Sequence, residues 1–157
     1  MSPEPEDRSN RDCSAAEVSI ARLGAENLGK AEENCRLFWK MAGARPDLKE
    51  FLEDPQCIML AAEVGGEHAG QIVGYILRRW DEKPPMLFLY SIDVAERFRR
   101  NGVARRLVRE FLRLGKEQGC GTSFVMTNEG NVPAMELYRS AGGIRANQDD
   151  VLFQWKL

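Results

Sequence analysis

The chain has 157 residues, 43% hydrophobic and 29% charged, with a formal net charge of −2. That length suits one domain able to bury most of its apolar surface without staples, and the near-neutral balance argues against a general nucleic-acid binder. Cys13, Cys35, Cys57 and Cys120 form no close pair and lack metal-ligand spacing, and His68 is the single histidine. They read as reduced, mostly buried thiols of a cytoplasmic protein with no metal. Neither a membrane-length apolar run nor a signal-peptide core is seen.

Residues 1–15 carry prolines and charges and almost nothing to bury, which predicts a mobile tail ahead of one domain over 16–157. EVSIARL alternates as a short strand with Val18, Ile20 and Ala21 inward. Leu28, Ala31, Cys35, Phe38 and Trp39 fall at helical spacing and predict a helix over 25–41. Arg45-Pro46-Asp47 breaks it, and Asp47 is placed to cap a short second helix ending near Leu52. CIMLAAEV (57–64), Gly65-Gly66 and GQIVGYILRRW (70–80) read as a hairpin, its first strand apolar on both faces as in a covered sheet.

Residues 81–85 form a loop, and MLFLYSIDV (86–94) is the central strand. From Gly102 to near Gln118 a helix buries Val103, Leu107, Val108, Phe111 and Leu114. TSFVMT is a further strand, Asn131 to Ala141 a helix ended by Gly142-Gly143, and VLFQWKL (151–157) a closing strand. The order implies an α/β domain with a mixed sheet and helices on its faces.

The most informative segment is RFRRNGVARRLVREFL (97–112), which follows the central strand directly. A glycine-containing basic turn that opens a helix leaves backbone N–H groups unpaired at the positive end of the helix dipole. That is a site for phosphate or pyrophosphate. The same spacing also suits an ordinary strand-to-helix turn with a solvated basic face.

Two segments resemble the acyl-CoA site of the GNAT N-acetyltransferase superfamily. Arg99-Arg100-Asn101-Gly102-Val103-Ala104 is similar to its Arg/Gln-x-x-Gly-x-Gly/Ala pyrophosphate loop. Asn131-Val132-Pro133-Ala134-Met135-Glu136-Leu137-Tyr138 is similar to its Asn-x-x-Ala-x-x-Leu-Tyr segment. A looser resemblance, through LYSIDVAERFRRNGVA and DDVLFQWKL, is to the aminoglycoside 3-N-acetyltransferases. The superfamily implies a mixed, mostly antiparallel sheet with helices on both faces and splayed central strands.

By that resemblance the amides of residues 100–104 cradle the pyrophosphate of acetyl-CoA, with Arg99 part of the same loop. Main-chain groups near Ile92 and Val94 pair with the pantetheine arm in a slot where the strands of 92–94 and 124–126 part. Asn131 contacts the pantetheine side, and the Tyr138 hydroxyl lies near the thioester sulfur.

Acetyl transfer to an amine requires positioning, stabilisation of the carbonyl oxygen and help for the leaving thiolate. A backbone N–H near Val94 is placed to polarise the carbonyl, and Tyr138 to act as general acid. Where aminoglycoside-type relatives carry an acidic residue, three positions before the valine, this chain has Ser91, which can hold a water but not take a proton at neutral pH. Asp93 shares the strand face of Ser91 by the two-residue period. It is the first candidate for the base or a water-relay anchor; the alternative is a carboxylate bonded to backbone amides at a bulge. Glu129 is the second candidate.

A polycationic acceptor calls for acidic lining, for which Glu129, Asp149, Asp150 and Asp81 are the candidates. The favoured acceptor is an aminoglycoside, a small-molecule amine, with no nucleic-acid or membrane partner. A protein or peptide N-acetyltransferase and a non-catalytic acyl-CoA-binding module are the alternatives. Relatives with this fold are often dimers, which leaves a homodimer open.

Overall fold

The computed structural model describes residues 17–41, 46–147, 149 and 151–157; the expected tail lies outside them. The elements in order are β1 (Val18–Arg22), α1 (Leu28–Trp39), α2 (Pro46–Glu53), β2 (Cys57–Val64), β3 (Glu67–Leu77), β4 (Met86–Val94), α3 (Val103–Glu117), β5 (Thr122–Val125) and α4 (Val132–Ser140). One sheet of order β1-β2-β3-β4-β5 is antiparallel throughout except for the parallel pair β4–β5. The mixed, mostly antiparallel sheet is the one expected.

Its two faces are packed separately. On one side α3 lays Val103, Leu107, Val108 and Phe111 on Ile58, Leu60, Ile72, Leu87 and Leu89. On the other, Ala31 and Cys35 of α1 and Leu48 and Leu52 of α2 cover Met59, Ala61 and Val73. A strand sandwiched this way must be apolar on both faces, which is why β2 carries no alternation.

α3 sits close to the sheet because glycines make room for it. A Cβ on Gly74 would lie 2.3 Å from Phe111 Cζ and 2.5 Å from the Phe88 carbonyl oxygen, and one on Gly115 2.4 Å from Leu87 Cδ2. Gly74 flanks a register shift in the β3–β4 ladder, where Val73 pairs with Ser91 and Gly74 with Leu89. Tyr90 is thus the extra residue. The bulge resets the two-residue period, so Phe88 lies on the same face as Ser91 and Asp93.

Several boundaries differ from the sequence reading. The first helix opens with a 3₁₀ turn at Ala25–Asn27 and ends at Lys40, which takes a left-handed conformation. Asp47 lies inside the first turn of α2 rather than capping it, because Pro46 takes the first helical position. β3 begins at Glu67, since Gly65 and Gly66, both at positive φ, form a two-residue hairpin turn that pairs Glu67 with Val64 at once. It ends at Leu77, leaving Trp80 exposed in the connection to β4.

The closing strand is not found. Residues 151–157 form no regular element, and Val151, Phe153, Trp155 and Leu157 are exposed. Their alternation anticipates a half-buried environment, but they join no ladder of the described sheet. Replacing Gly74 with Ala forces the Phe111 ring off the sheet. We expect a loss of about 1–3 kcal/mol in urea unfolding, as for other overpacked cores; an unchanged midpoint would refute this close approach.

Candidate active site

β4 and β5 share only four residue pairs, from Met86–Thr122 to Leu89–Val125. Beyond Leu89, β4 runs on alone to Val94, so its outer edge borders a gap. The main-chain direction there follows from one bond. Ala95 N–H donates to Ala69 C=O at 2.9 Å, within the register that pairs Gly70 with Val94, Gln71 with Asp93 and Ile72 with Ile92. Antiparallel pairs alternate between bonded and non-bonded, so Val94 and Ile92 turn their N–H and C=O away from β3 and into the gap. The Val94 carbonyl already accepts from Arg99 Nε at 3.1 Å. Phe124 and Val125, expected where the strands part, are instead still paired with Phe88 and Leu89; the parting begins beyond Val125.

At the end of this edge the chain turns through residues 99–102 into α3. Arg100 and Gly102 have φ of 62° and 76°, and no side chain caps the helix. The first intrahelical bond reaching back is Arg106 N–H to Gly102 C=O. The N–H groups at the start of α3, those of Val103 and Ala104 among them, therefore have no intrahelical acceptor. The space where a Gly102 side chain would lie is open. With Arg99 and Arg100 alongside, the turn can hold an anionic diphosphate.

Asp93 projects on the α1 side of the sheet. Its Oδ2 accepts from Trp39 Nε1 at 3.1 Å and from Gln71 Nε2 at 3.4 Å. The carboxylate is thus held by two side chains and not by backbone amides at a bulge. It lines an open cavity of about 800 Å³ between the C-terminal half of α1, the start of β3 and the turn after β4. Glu33, Glu67 and Glu96 line the same cavity, as do Lys40, His68, Arg97 and Arg99. Glu33 pairs with His68 Nε2 at 3.0 Å, and Glu67 with Arg97. Ser91 lies on this face too, its Oγ buried without a protein partner.

Tyr138 belongs to the opposite face, packed against the α3-side core with Ile92 and Val94. Burial pushes its phenol above the ordinary tyrosine value. A neutral phenol is the state that donates a hydrogen bond or a proton. Asp93 and Tyr138 therefore lie on opposite faces of the sheet. Asn131 caps α4, its Oδ1 accepting from Ala134 N–H at 3.3 Å.

The other acidic candidates are not gathered here. Asp81 lies in the β3–β4 connection, at the far end of β4 from Asp93. The hydrogen-bonded guanidinium of Arg79 holds its carboxyl below the usual carboxylate range. Glu129 pairs with Arg145 at 2.6 Å beside the start of α4, on a small cavity of its own. Asp149 is exposed in the segment after α4, and Asp150 lies outside the described residues.

Sequence reasoning missed Trp39 and Gln71, and assigned nothing to His68. The signal for Gln71 was present: an amide inside the apolar run GQIVGYIL marks a buried polar group that needs a partner. Trp39 and His68 carried none, because their positions depend on how α1 crosses the sheet.

A gap along one strand edge, leading from an uncapped basic helix start to a carboxylate, is the arrangement of an acetyl-CoA-dependent N-acetyltransferase. The model of the Acetyltransferase (GNAT) family matches residues 26–142, and the chain belongs to that family. Aminoglycoside N(6′)-acetyltransferase type 1 of Serratia marcescens is 30% identical over 103 residues, covering 62% of this chain and 70% of that protein. The aminoglycoside acetyltransferase meta-AAC0020 from an uncultured soil metagenomic sample, in complex with sisomicin, has the same fold. Its TM-score is 0.79 at 23% identity, over 89% of this chain and 96% of that one. Aminoglycoside N-acetyltransferase AAC(6′)-Iy in complex with CoA gives a TM-score of 0.73 at 21% identity, over 90% and 96% of the two chains. Where these names specify a position it is 6′-N, so the 3-N subtype expected from LYSIDVAERFRRNGVA and DDVLFQWKL finds no support among them.

Among the described residues no helix is long and apolar enough to cross a membrane. Tyr138 gives a direct check on the site's environment. The phenolate absorbance lost in Tyr138→Phe should develop at higher pH than that of free tyrosine, because burial disfavours the anion. A difference curve at or below the free-tyrosine range would place this hydroxyl in water.

Proposed function

We propose that the chain transfers acetyl from acetyl-CoA to a primary amine of an aminoglycoside, with the 6′-amine as the acceptor position. The observation that carries this reading is the Asp93 carboxylate, lining an open, acid-containing cavity directly beside the unpaired edge of β4. The 6′ position is favoured over 3-N by the Serratia marcescens relative. Glu96 beside Asp93 offers negative charge to a polycation, with Glu33 and Glu67, paired to His68 and Arg97, lining the same cavity in place of Asp81, Asp149 and Asp150.

In this reading the turn at Arg99, Arg100, Asn101 and Gly102, with the first amides of α3 at Val103 and Ala104, binds the pyrophosphate. The outward main-chain groups of Ile92 bind the pantetheine arm, and Asn131 borders it from the start of α4. Acetyl-CoA supplies the activated thioester. Asp93 takes one proton from the acceptor nitrogen as the N–C bond forms, with Ser91 holding a water beside it. The Val94 N–H polarises the carbonyl. Tyr138 gives a proton to sulfur as the C–S bond breaks, and both side chains then recover their starting states by exchange with solvent.

Asp93→Asn is expected to lower kcat/KM ten-fold or more, or about 1.4 kcal/mol, with acetyl-CoA affinity nearly unchanged; an unchanged kcat/KM would remove Asp93 from the mechanism. Regiochemistry is read by thiol release with paired aminoglycosides carrying a 6′-amine or a 6′-hydroxyl. Turnover of the amine alone supports the proposal, and equal turnover of both moves the reaction to another nitrogen such as 3-N. Turnover of peptides and no aminoglycoside would make this a protein N-acetyltransferase. Binding of acetyl-CoA with no amine turned over would favour a non-catalytic acyl-CoA-binding module.

A further inference from the structure

We propose that Trp39 and Gln71 are positioning residues that hold the Asp93 carboxylate by one oxygen and leave the other to meet the acceptor amine. The inference rests on the reading of Asp93 as base given above. Both donors converge on Oδ2: the indole N–H from the last residue of α1, and the amide Nε2 from the residue directly opposite Asp93 on β3. Two donors from different elements fix a carboxylate's rotation as one donor cannot, and they leave Oδ1 as the available acceptor.

Neither donor is placed there by default. Gln71 is fully buried, and its Oε1 has no protein partner, so its amide is held on the sheet through Nε2. Trp39 packs its ring against the α1–α2 core, and its position is set by the helix end, where Lys40 turns left-handed. Other charged groups facing the cavity are largely engaged elsewhere: Glu33 with His68, Glu67 with Arg97, and Arg99 with the Val94 carbonyl. Glu96 and Lys40 complete the charged lining, and neither is hydrogen-bonded to Asp93. The orientation of the carboxylate therefore depends on α1 being seated on the sheet.

The test is a double-mutant cycle on the full chain. Trp39→Phe keeps the ring and removes the donor. In the Asp93 background we expect kcat to fall about ten-fold, with acceptor KM and acetyl-CoA Kd within two-fold, since misorientation of a reacting group costs chemistry rather than binding. In the Asp93→Ala background the same change should alter residual kcat less than two-fold. Equal losses in the two backgrounds, or a loss confined to KM, would overturn the proposal. A second readout does not need turnover: the Trp39 indole N–H resonance, distinct from those of the exposed Trp80 and Trp155, should move upfield in Asp93→Ala. An unmoved resonance would show that the bond is not made. Wild-type kcat in Asp93→Ala would refute the reading of Asp93 as base, while the resonance would still judge the bond by itself.

Discussion

Everything at the site depends on a mismatch of length between neighbouring strands. β4 has nine residues and β5 four, and their parallel ladder stops at Leu89–Val125. The unpaired part of β4 then holds main-chain donors and acceptors that no protein strand satisfies. In a buried sheet such groups would be costly; on an open edge they form a template for an extended ligand. An arm with amide groups of its own can pair there as a strand would. The fold supplies the specificity of the gap without any special side chain in it.

The rest of the architecture keeps that edge open and correctly directed. The bulge at Tyr90 sets which side chains of β4 face α1 and which face α3, placing Asp93 on one side and Ile92 and Val94 on the other. α3 is seated closely through Gly74 and Gly115, and its uncapped N-terminus lies where the edge of β4 ends. In the proposed reading, anion binding at the turn and strand-like binding along β4 are both consequences of one connection, the strand-to-helix passage over residues 95–102. α1 covers the opposite face and brings Trp39 to the carboxylate.

How much of this was legible in the sequence follows from the range of the interactions involved. The ladder of β2, β3 and β4 and the extent of α3 were readable because each is encoded locally, by apolar period and by Gly65-Gly66 and Gly102. Asp93 was readable as sharing a face with Ser91 for the same reason. The partners of Asp93 were not, because Trp39 and Gln71 reach it across 54 and 22 residues. The acidic lining of the cavity at Asp93 has the same long range. Asp81, Glu129 and Asp149 look suitable in a linear reading, whereas Glu33 and Glu67 reach the cavity only through the packing of α1 on β3. The ending VLFQWKL shows the converse error, in which a strand-like pattern finds no described strand beside it.

Binding along the edge of β4 is read out by amide hydrogen exchange, resolved by residue, with and without acetyl-CoA. The N–H groups of Ile92 and Val94 point into the gap, whereas that of Asp93 points to Gln71 in the ladder. Saturating acetyl-CoA should slow exchange at Ile92 and Val94 and at the first amides of α3, while Asp93, already protected, changes little. Binding that leaves Ile92 and Val94 exchanging as before would contradict it, because the ligand would then lie somewhere other than along the unpaired edge of β4.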